Sequence, residues 1–123
     1  MLDTSSDPAS GSRSPAGPIR VGVAGLGAVA QAVHLPLLAR LPDIFEIAAI
    51  GDLSRTLLST IGERYRVPEA HRHATVDALL ADPSIEGVIL LTSGSHGTAA
   101  LAALDRGLPI LCEKPLAYTV AEA

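Results

Sequence analysis

Short apolar runs alternate with longer amphipathic stretches along most of the chain. Near-continuous apolar runs of this kind are typical of parallel strands that are covered on both faces. The pattern predicts strands at residues 19–24, 45–50, 87–91 and 109–112, and a weaker strand near residues 71–74.

The stretches between these runs predict helices. Residues 28–40 carry apolar side chains in steps of four, which is the spacing of an amphipathic helix: Val29, Val33, Leu37 and Leu41. Further helices are expected after Ser54 and after Thr75, since both residue types are favoured as N-caps.

A fourth helix is expected over residues 96–106 and should end at Gly107, because glycine suits the left-handed position that follows a helix. Strands that alternate with helices at this spacing favour right-handed crossovers and a single parallel sheet. The predicted fold class is therefore α/β, a Rossmann-like doubly wound parallel sheet.

The two ends of the chain differ from the rest. Residues 1–18 are dominated by Ser, Pro, Gly, Asp and Ala, a composition that predicts a disordered tail and leaves residues 19–123 as the folded domain. Thr119 and Glu122 form a capping box, which announces a helix just before the chain stops. The domain is thus expected to be incomplete at its C-terminal end; the alternative is a freestanding domain with a frayed C-terminal tail.

Composition narrows the possible partners. A net charge of −4, with one Phe, two Tyr and no Trp, argues against nucleic-acid binding. A single cysteine excludes an internal disulfide and a multi-cysteine zinc site. No apolar run reaches the ~18 residues of a membrane span, and the start of the chain lacks the hydrophobic region of a secretory signal. These features predict a cytoplasmic protein without a membrane partner.

A glycine turn follows the first predicted strand. Gly25-x-Gly27-x-x-Ala30 matches the dinucleotide fingerprint, in which the first glycine permits the tight turn and the second lets the backbone approach a pyrophosphate. The helix start at Ala28 and Val29 would point unpaired N–H groups at the phosphates. The motif predicts a dinucleotide-binding domain.

An acid ends the second predicted strand. Asp52 can accept hydrogen bonds from the adenosine ribose and should repel a 2′-phosphate, which favours NAD over NADP. Ser54 and Arg55 keep NADP open, because an arginine can pair with that phosphate. The alternative is that Asp52 is only a turn or capping residue.

The only lysine of the chain is Lys114, in Glu113-Lys114-Pro115 at the end of the last predicted strand. Ligands bind at the carboxyl ends of parallel strands in open α/β sheets. A hydride-transfer site needs a hydrogen-bond donor for the reacting oxygen, which Lys114 could provide while Glu113 orients it. The alternative is an ordinary surface lysine.

The ordered set of GVAGLGAVAQAVHLPLL, Asp52 and LCEKPLA resembles the N-terminal NAD(P)-binding domain of the Gfo/Idh/MocA oxidoreductases. The resemblance implies that Gly25, Gly27 and Asp52 hold NAD(P), that Glu113 contributes to the same site, and that Lys114 lies beside nicotinamide and substrate. Thr92 and His96 match the family's cofactor-binding turn after the fourth strand, although the Pro and Asn of that turn are missing here.

Members of that family continue into a second α/β domain, which supplies most of the substrate site. The resemblance therefore implies the cofactor half of a dehydrogenase for a secondary alcohol or carbonyl, sugar-like or cyclitol-like, which is inactive by itself. It also implies a small-molecule substrate and a homo-oligomer formed through the second domain. The alternative is a non-catalytic NAD(P)-sensing or regulatory protein of the same fold.

The histidines give weaker signals. His34, in a His-Leu-Pro string that is also common in the family, either faces the cofactor cleft or has a structural role, and Pro36 is expected to kink its helix. His71 and His73 should point the same way along a strand, but without acids or cysteines near them in sequence they do not indicate a metal site. No metal is predicted.

Overall fold

A computed structural model describes residues 17–92 and 96–113. Within these ranges one five-stranded sheet is formed by β1 (Ile19–Ala24), β2 (Phe45–Gly51), β3 (Arg72–His73), β4 (Gly87–Leu90) and β5 (Ile110–Cys112). The pairings are all parallel, and the order across the sheet is β3-β2-β1-β4-β5. The predicted strands are confirmed, and the weak run near residues 71–74 is a short edge strand.

Helical segments cover the connections between the strands: a π-helical segment (Ala30–His34) that continues into α1 (Leu35–Ala39), α2 (Arg55–Arg64), a 3-10 turn (Glu69–His71), α3 (Val76–Leu80) and α4 (Gly97–Asp105). The predicted caps are confirmed. The Ser54 hydroxyl accepts the N–H of Leu57 at 3.2 Å, and the Thr75 hydroxyl accepts that of Ala78 at 3.1 Å. Gly107 has the expected positive φ, 73°.

The first helix is present where it is predicted, but its buried face is not the stripe with steps of four. Val29, Val33 and Leu37 are each about half exposed, whereas the buried positions are Ala30, Leu35 and Leu38. Within this helix a π turn, in which the N–H of Leu35 donates to the carbonyl of Ala30, five residues back, places Leu35 instead of His34 on the buried face. The widened turn adds one residue and so rotates the inward face.

The π turn has a local cause. Pro36 has no N–H and cannot donate to the carbonyl four residues before it, which breaks the regular α-helical ladder at this point. The helix accommodates the missing donor by widening one turn and then resumes as α1. Pro36 therefore changes the rotation of the helix rather than ending it.

Apolar side chains cover both faces of the sheet. One cluster packs the first helix and α2 against it, with Val23, Leu35 and Ile61 at its centre. The other packs α3 and α4 against the opposite face around small side chains such as Ala24 and Ala49. The arrangement is the doubly wound α/β fold that the alternating pattern predicts.

The direction of winding reverses at β1, which pairs with β2 on one side and with β4 on the other. Such a switch point leaves a crevice at the carboxyl ends of the two strands, where open α/β sheets bind ligands. The glycine turn after β1 and the segment after β4 both lie at this crevice.

Candidate functional site

The turn after β1 depends on a glycine. Gly25 has φ 95°, and its N–H donates to the carbonyl of Gly51 at 2.8 Å. A Cβ at position 25 would lie 2.6 Å from the carbonyl carbon of Leu91 and 2.7 Å from the nitrogen of Thr92. The turn thus packs directly against the backbone that leaves β4.

Gly27 has different surroundings. A Cβ placed there would meet nothing within 4 Å, so this glycine opens onto free space. Ala28 and Val29 follow with exposed side chains, in the first turn, whose N–H groups lack intrahelical acceptors. A backbone without a side chain, beside free helical N–H groups, fits the pyrophosphate of a dinucleotide.

Asp52 connects the glycine turn after β1 to the loop after β2. Its Oδ2 accepts the N–H of Leu26 at 2.8 Å, and its Oδ1 accepts the N–H of Ser54 at 2.7 Å. The side chain is half-buried, and each carboxylate oxygen retains a further lone pair for a ligand hydroxyl. Asp52 therefore shapes the turn between β2 and α2 and also presents a carboxylate to the crevice.

Four of the predicted cofactor residues lie on the wall of a single cavity of about 430 Å³: Gly25, Gly27, Asp52 and Thr92. Leu53, which is 88% exposed, lies on the same wall. Ser54 and Arg55 are not part of this lining. Ser54 caps α2, and Arg55 is an exposed residue at the start of that helix.

His96 is almost fully buried, with 1% of its surface exposed. Its ring Nε2 lies 2.6 Å from the carbonyl oxygen of Thr92, so the imidazole N–H donates to the backbone of the segment after β4. His96 thus holds Thr92 in place from within the protein. A direct contact between His96 and a cofactor stays a prediction.

Glu113 marks the end of β5. Its backbone N–H donates to the carbonyl of Leu90 at 3.1 Å, and its carboxylate contacts His34 at 2.7 Å. Lys114 and the capping box at Thr119 lie outside the described residues. The role of Lys114 therefore stays a prediction from its position in the sequence, directly after Glu113.

A second polar cluster lies at the opposite edge of the sheet. His71 and His73 do point the same way, and the fold adds Asp82, whose Oδ2 accepts their ring N–H groups at 2.7 Å and 2.8 Å. Ser84 donates to Oδ1 from both its hydroxyl and its backbone N–H. Burial by itself raises the pKa of Asp82, but these hydrogen bonds outweigh it and hold the pKa well below its usual range.

The sequence analysis missed Asp82 because it lies 11 and 9 positions from its two histidine partners and is brought to them only by α3. A signal was available, since an acid followed two positions later by Ser forms a common turn. Over the described ranges, no group of three or more His, Cys, Asp or Glu side chains is placed to hold a metal ion. In the same ranges, no helix has the length and apolar character needed to traverse a bilayer.

Comparison with known proteins identifies relatives of this fold and sequence. Residues 19–123 match the family model described as an oxidoreductase family with an NAD-binding Rossmann fold. The chain is 33% identical over 102 residues to an inositol 2-dehydrogenase from Agrobacterium fabrum, and this match covers 82% of the chain and 30% of that enzyme.

Solved structures give the same result. A myo-inositol dehydrogenase from Lactobacillus casei, in complex with NAD(H) and myo-inositol, is similar with a TM-score of 0.76 and 30% identity over 85% of this chain and 31% of that one. A 3-ketoreductase from Actinomadura kijaniata, in complex with TDP-benzene and NADP, has a TM-score of 0.74 and 28% identity over 85% and 32%. The chain thus spans about 30% of the relatives' length.

Proposed function

This chain belongs to the Gfo/Idh/MocA family of oxidoreductases, and we propose from that premise that it is the nicotinamide-cofactor domain of a dehydrogenase. The single observation that carries the proposal is the cavity that unites Gly25, Gly27, Asp52 and Thr92 at the switch point of the sheet. Open space at Gly27 suits the pyrophosphate of an adenosine diphosphate, and the Asp52 carboxylate on the same wall suits its ribose.

NAD is the proposed cofactor, and NADP is a weaker candidate. The Asp52 carboxylate would accept hydrogen bonds from the ribose hydroxyls, whereas a 2′-phosphate would bring a second negative charge to it. Two unit charges about 4 Å apart at an effective dielectric constant of about 20 interact with ~4 kcal/mol before screening. Arg55 is the nearest candidate in sequence for offsetting that repulsion, but it lies outside the cavity wall.

The bound nicotinamide supplies the hydride chemistry. On the protein side, we propose that Lys114 donates a hydrogen bond to the oxygen of a secondary alcohol or carbonyl and that Glu113 orients this lysine. The relatives include an inositol 2-dehydrogenase and a 3-ketoreductase, which supports a sugar-like or cyclitol-like substrate. The remainder of the substrate site is proposed to lie in a further domain, so that residues 1–123 bind cofactor without turning over substrate.

Calorimetric titration of the 123-residue chain with NAD and NADP tests the cofactor assignment. We expect saturable binding of NAD and at least tenfold weaker binding of NADP. Absence of heat with both nucleotides, together with an unchanged melting temperature in their presence, would refute the proposal, because a ligand that binds only the native state must stabilise it.

Replacement of Lys114 by Ala in the full-length protein tests the catalytic assignment. Lost turnover with retained NAD affinity supports the dehydrogenase. If the protein binds NAD but oxidises no alcohol, and if the substitution changes nothing, the protein is instead a cofactor sensor.

The cytoplasmic location, the homo-oligomer and the disordered tail at residues 1–18 stay predictions. Residues 1–16 of that tail lie outside the described residues.

A further inference from the structure

His34 and Glu113 are 79 positions apart in sequence and in direct contact in the fold. The ring Nε2 of His34 lies 2.7 Å from Oε2 of Glu113. A carboxylate oxygen can only accept, so the imidazole N–H donates. This hydrogen bond joins the first helix, which follows the glycine turn, to the end of β5.

The π turn brings His34 to this position. Val33 beside it is 52% exposed, whereas His34 closes the widened turn with its side chain only 16% exposed. It lies on the wall of a largely apolar cavity of about 390 Å³ that Leu37 and Leu111 also line. Its partner Glu113 does not line this cavity, and its side chain is more exposed, at 38%.

Glu113 is held at two points. Its backbone N–H donates to Leu90 of the neighbouring strand at 3.1 Å, and its side chain accepts from His34. The main-chain bond continues the sheet by one residue, and the side-chain bond ties the same residue to the first helix. Lys114 is the next residue in the sequence.

We propose that His34 is a positioning residue that acts through Glu113, the residue directly before Lys114 in the sequence. It holds the carboxylate of Glu113 and thereby sets where the following lysine begins. The inference rests on the proposed function, in which Lys114 contacts the reacting oxygen. It adds a residue from the other end of the domain to that site.

Three variants of the full-length protein test this role. His34→Leu removes the donor at similar volume, His34→Gln retains an N–H donor, and Val33→Ala is the control from the outward face of the same π segment. Hydrogen exchange of the Glu113 amide measures how stable the hydrogen bond from Glu113 to Leu90 is at the end of β5. NAD affinity and the kcat of alcohol oxidation measure its consequence.

His34→Leu should speed exchange of the Glu113 amide at least tenfold and lower kcat at least tenfold, with NAD affinity within twofold of the native protein. His34→Gln should recover most of both losses, and Val33→Ala should match the native protein. If His34→Leu does not fold, Glu113→Ala breaks the same bond from the more exposed partner and should speed exchange at residues 112 and 113.

The inference is overturned if His34→Leu leaves both exchange and kcat within twofold of native, or if His34→Gln behaves like His34→Leu. A different result identifies failure of the proposed function. If the native protein turns over no alcohol with NAD while His34→Leu still accelerates exchange, the dehydrogenase assignment fails and the hold of His34 on Glu113 stands.

Discussion

Substituting alanine at Gly25 and, separately, at Gly27 separates the folding role of the glycine turn from its binding role. The same single methyl group is added in both variants, two positions apart. At Gly25 it meets the backbone of Leu91 and Thr92 at 2.6–2.8 Å, whereas at Gly27 it meets nothing within 4 Å. We expect Gly25→Ala to destabilise the fold and Gly27→Ala to leave it intact.

The magnitude for Gly25 follows from two costs. A residue with a side chain at φ 95° is strained by ~1–3 kcal/mol. Backbone neighbours cannot rotate away as a side chain can, so the strand exit near Leu91 must shift, and overpacking of this kind costs ~1–3 kcal/mol more. The free energy of unfolding should therefore fall by ~2–6 kcal/mol, and the melting temperature of a domain this size by about 10 °C or more.

Thermal unfolding followed by circular dichroism, with NAD titration by calorimetry, measures both roles. Gly27→Ala should melt within about 5 °C of native, since an added methyl in open space changes stability by less than ~1 kcal/mol, but should bind NAD at least tenfold more weakly. A Gly25→Ala protein that melts like the native chain would refute the steric reasoning. A Gly27→Ala protein with native NAD affinity would refute the placement of the pyrophosphate.

Three further substitutions or modifications address other groups. Asp52→Asn removes the charge but retains an oxygen acceptor, so the preference for NAD over NADP should fall at least tenfold by calorimetry; an unchanged preference would mean that Arg55 or another group sets it. Asp82→Asn should lower the free energy of unfolding in urea by ~2–3 kcal/mol at pH 7. The pKa of Asp82 is lower in the folded than in the unfolded protein, so its contribution to stability is present above pH ~4 and declines as the pH falls below that value. If the native protein and Asp82→Asn differ in free energy of unfolding as much at pH 2.5 as at pH 7, the lowered pKa of Asp82 is contradicted. Burial raises the pKa of the Cys112 thiol, so iodoacetamide should modify it more slowly in the native protein than in urea at the same pH, and equal rates would show that the thiol is accessible.

Much of what a short stretch of chain encodes was predictable from the sequence. The strands, the caps at Ser54 and Thr75 and the glycine after α4 were all predicted, because alternation, capping oxygens and positive φ are local properties. The location of the site followed as well, since open parallel α/β sheets bind ligands at the carboxyl ends of their strands. The glycine turn and Asp52 lie together for that reason.

Which side chains meet across the fold depended on how the helices and strands pack. The inward face of the first helix depended on the π turn at Ala30–His34, just before Pro36, and no periodicity in the sequence shows where a helix widens. The contact of His34 with Glu113 requires both that rotation and the position of β5 in the sheet. Asp82 meets its histidines for a similar reason, because the distance between two side chains is set by the packing of the elements that carry them, which local sequence does not encode.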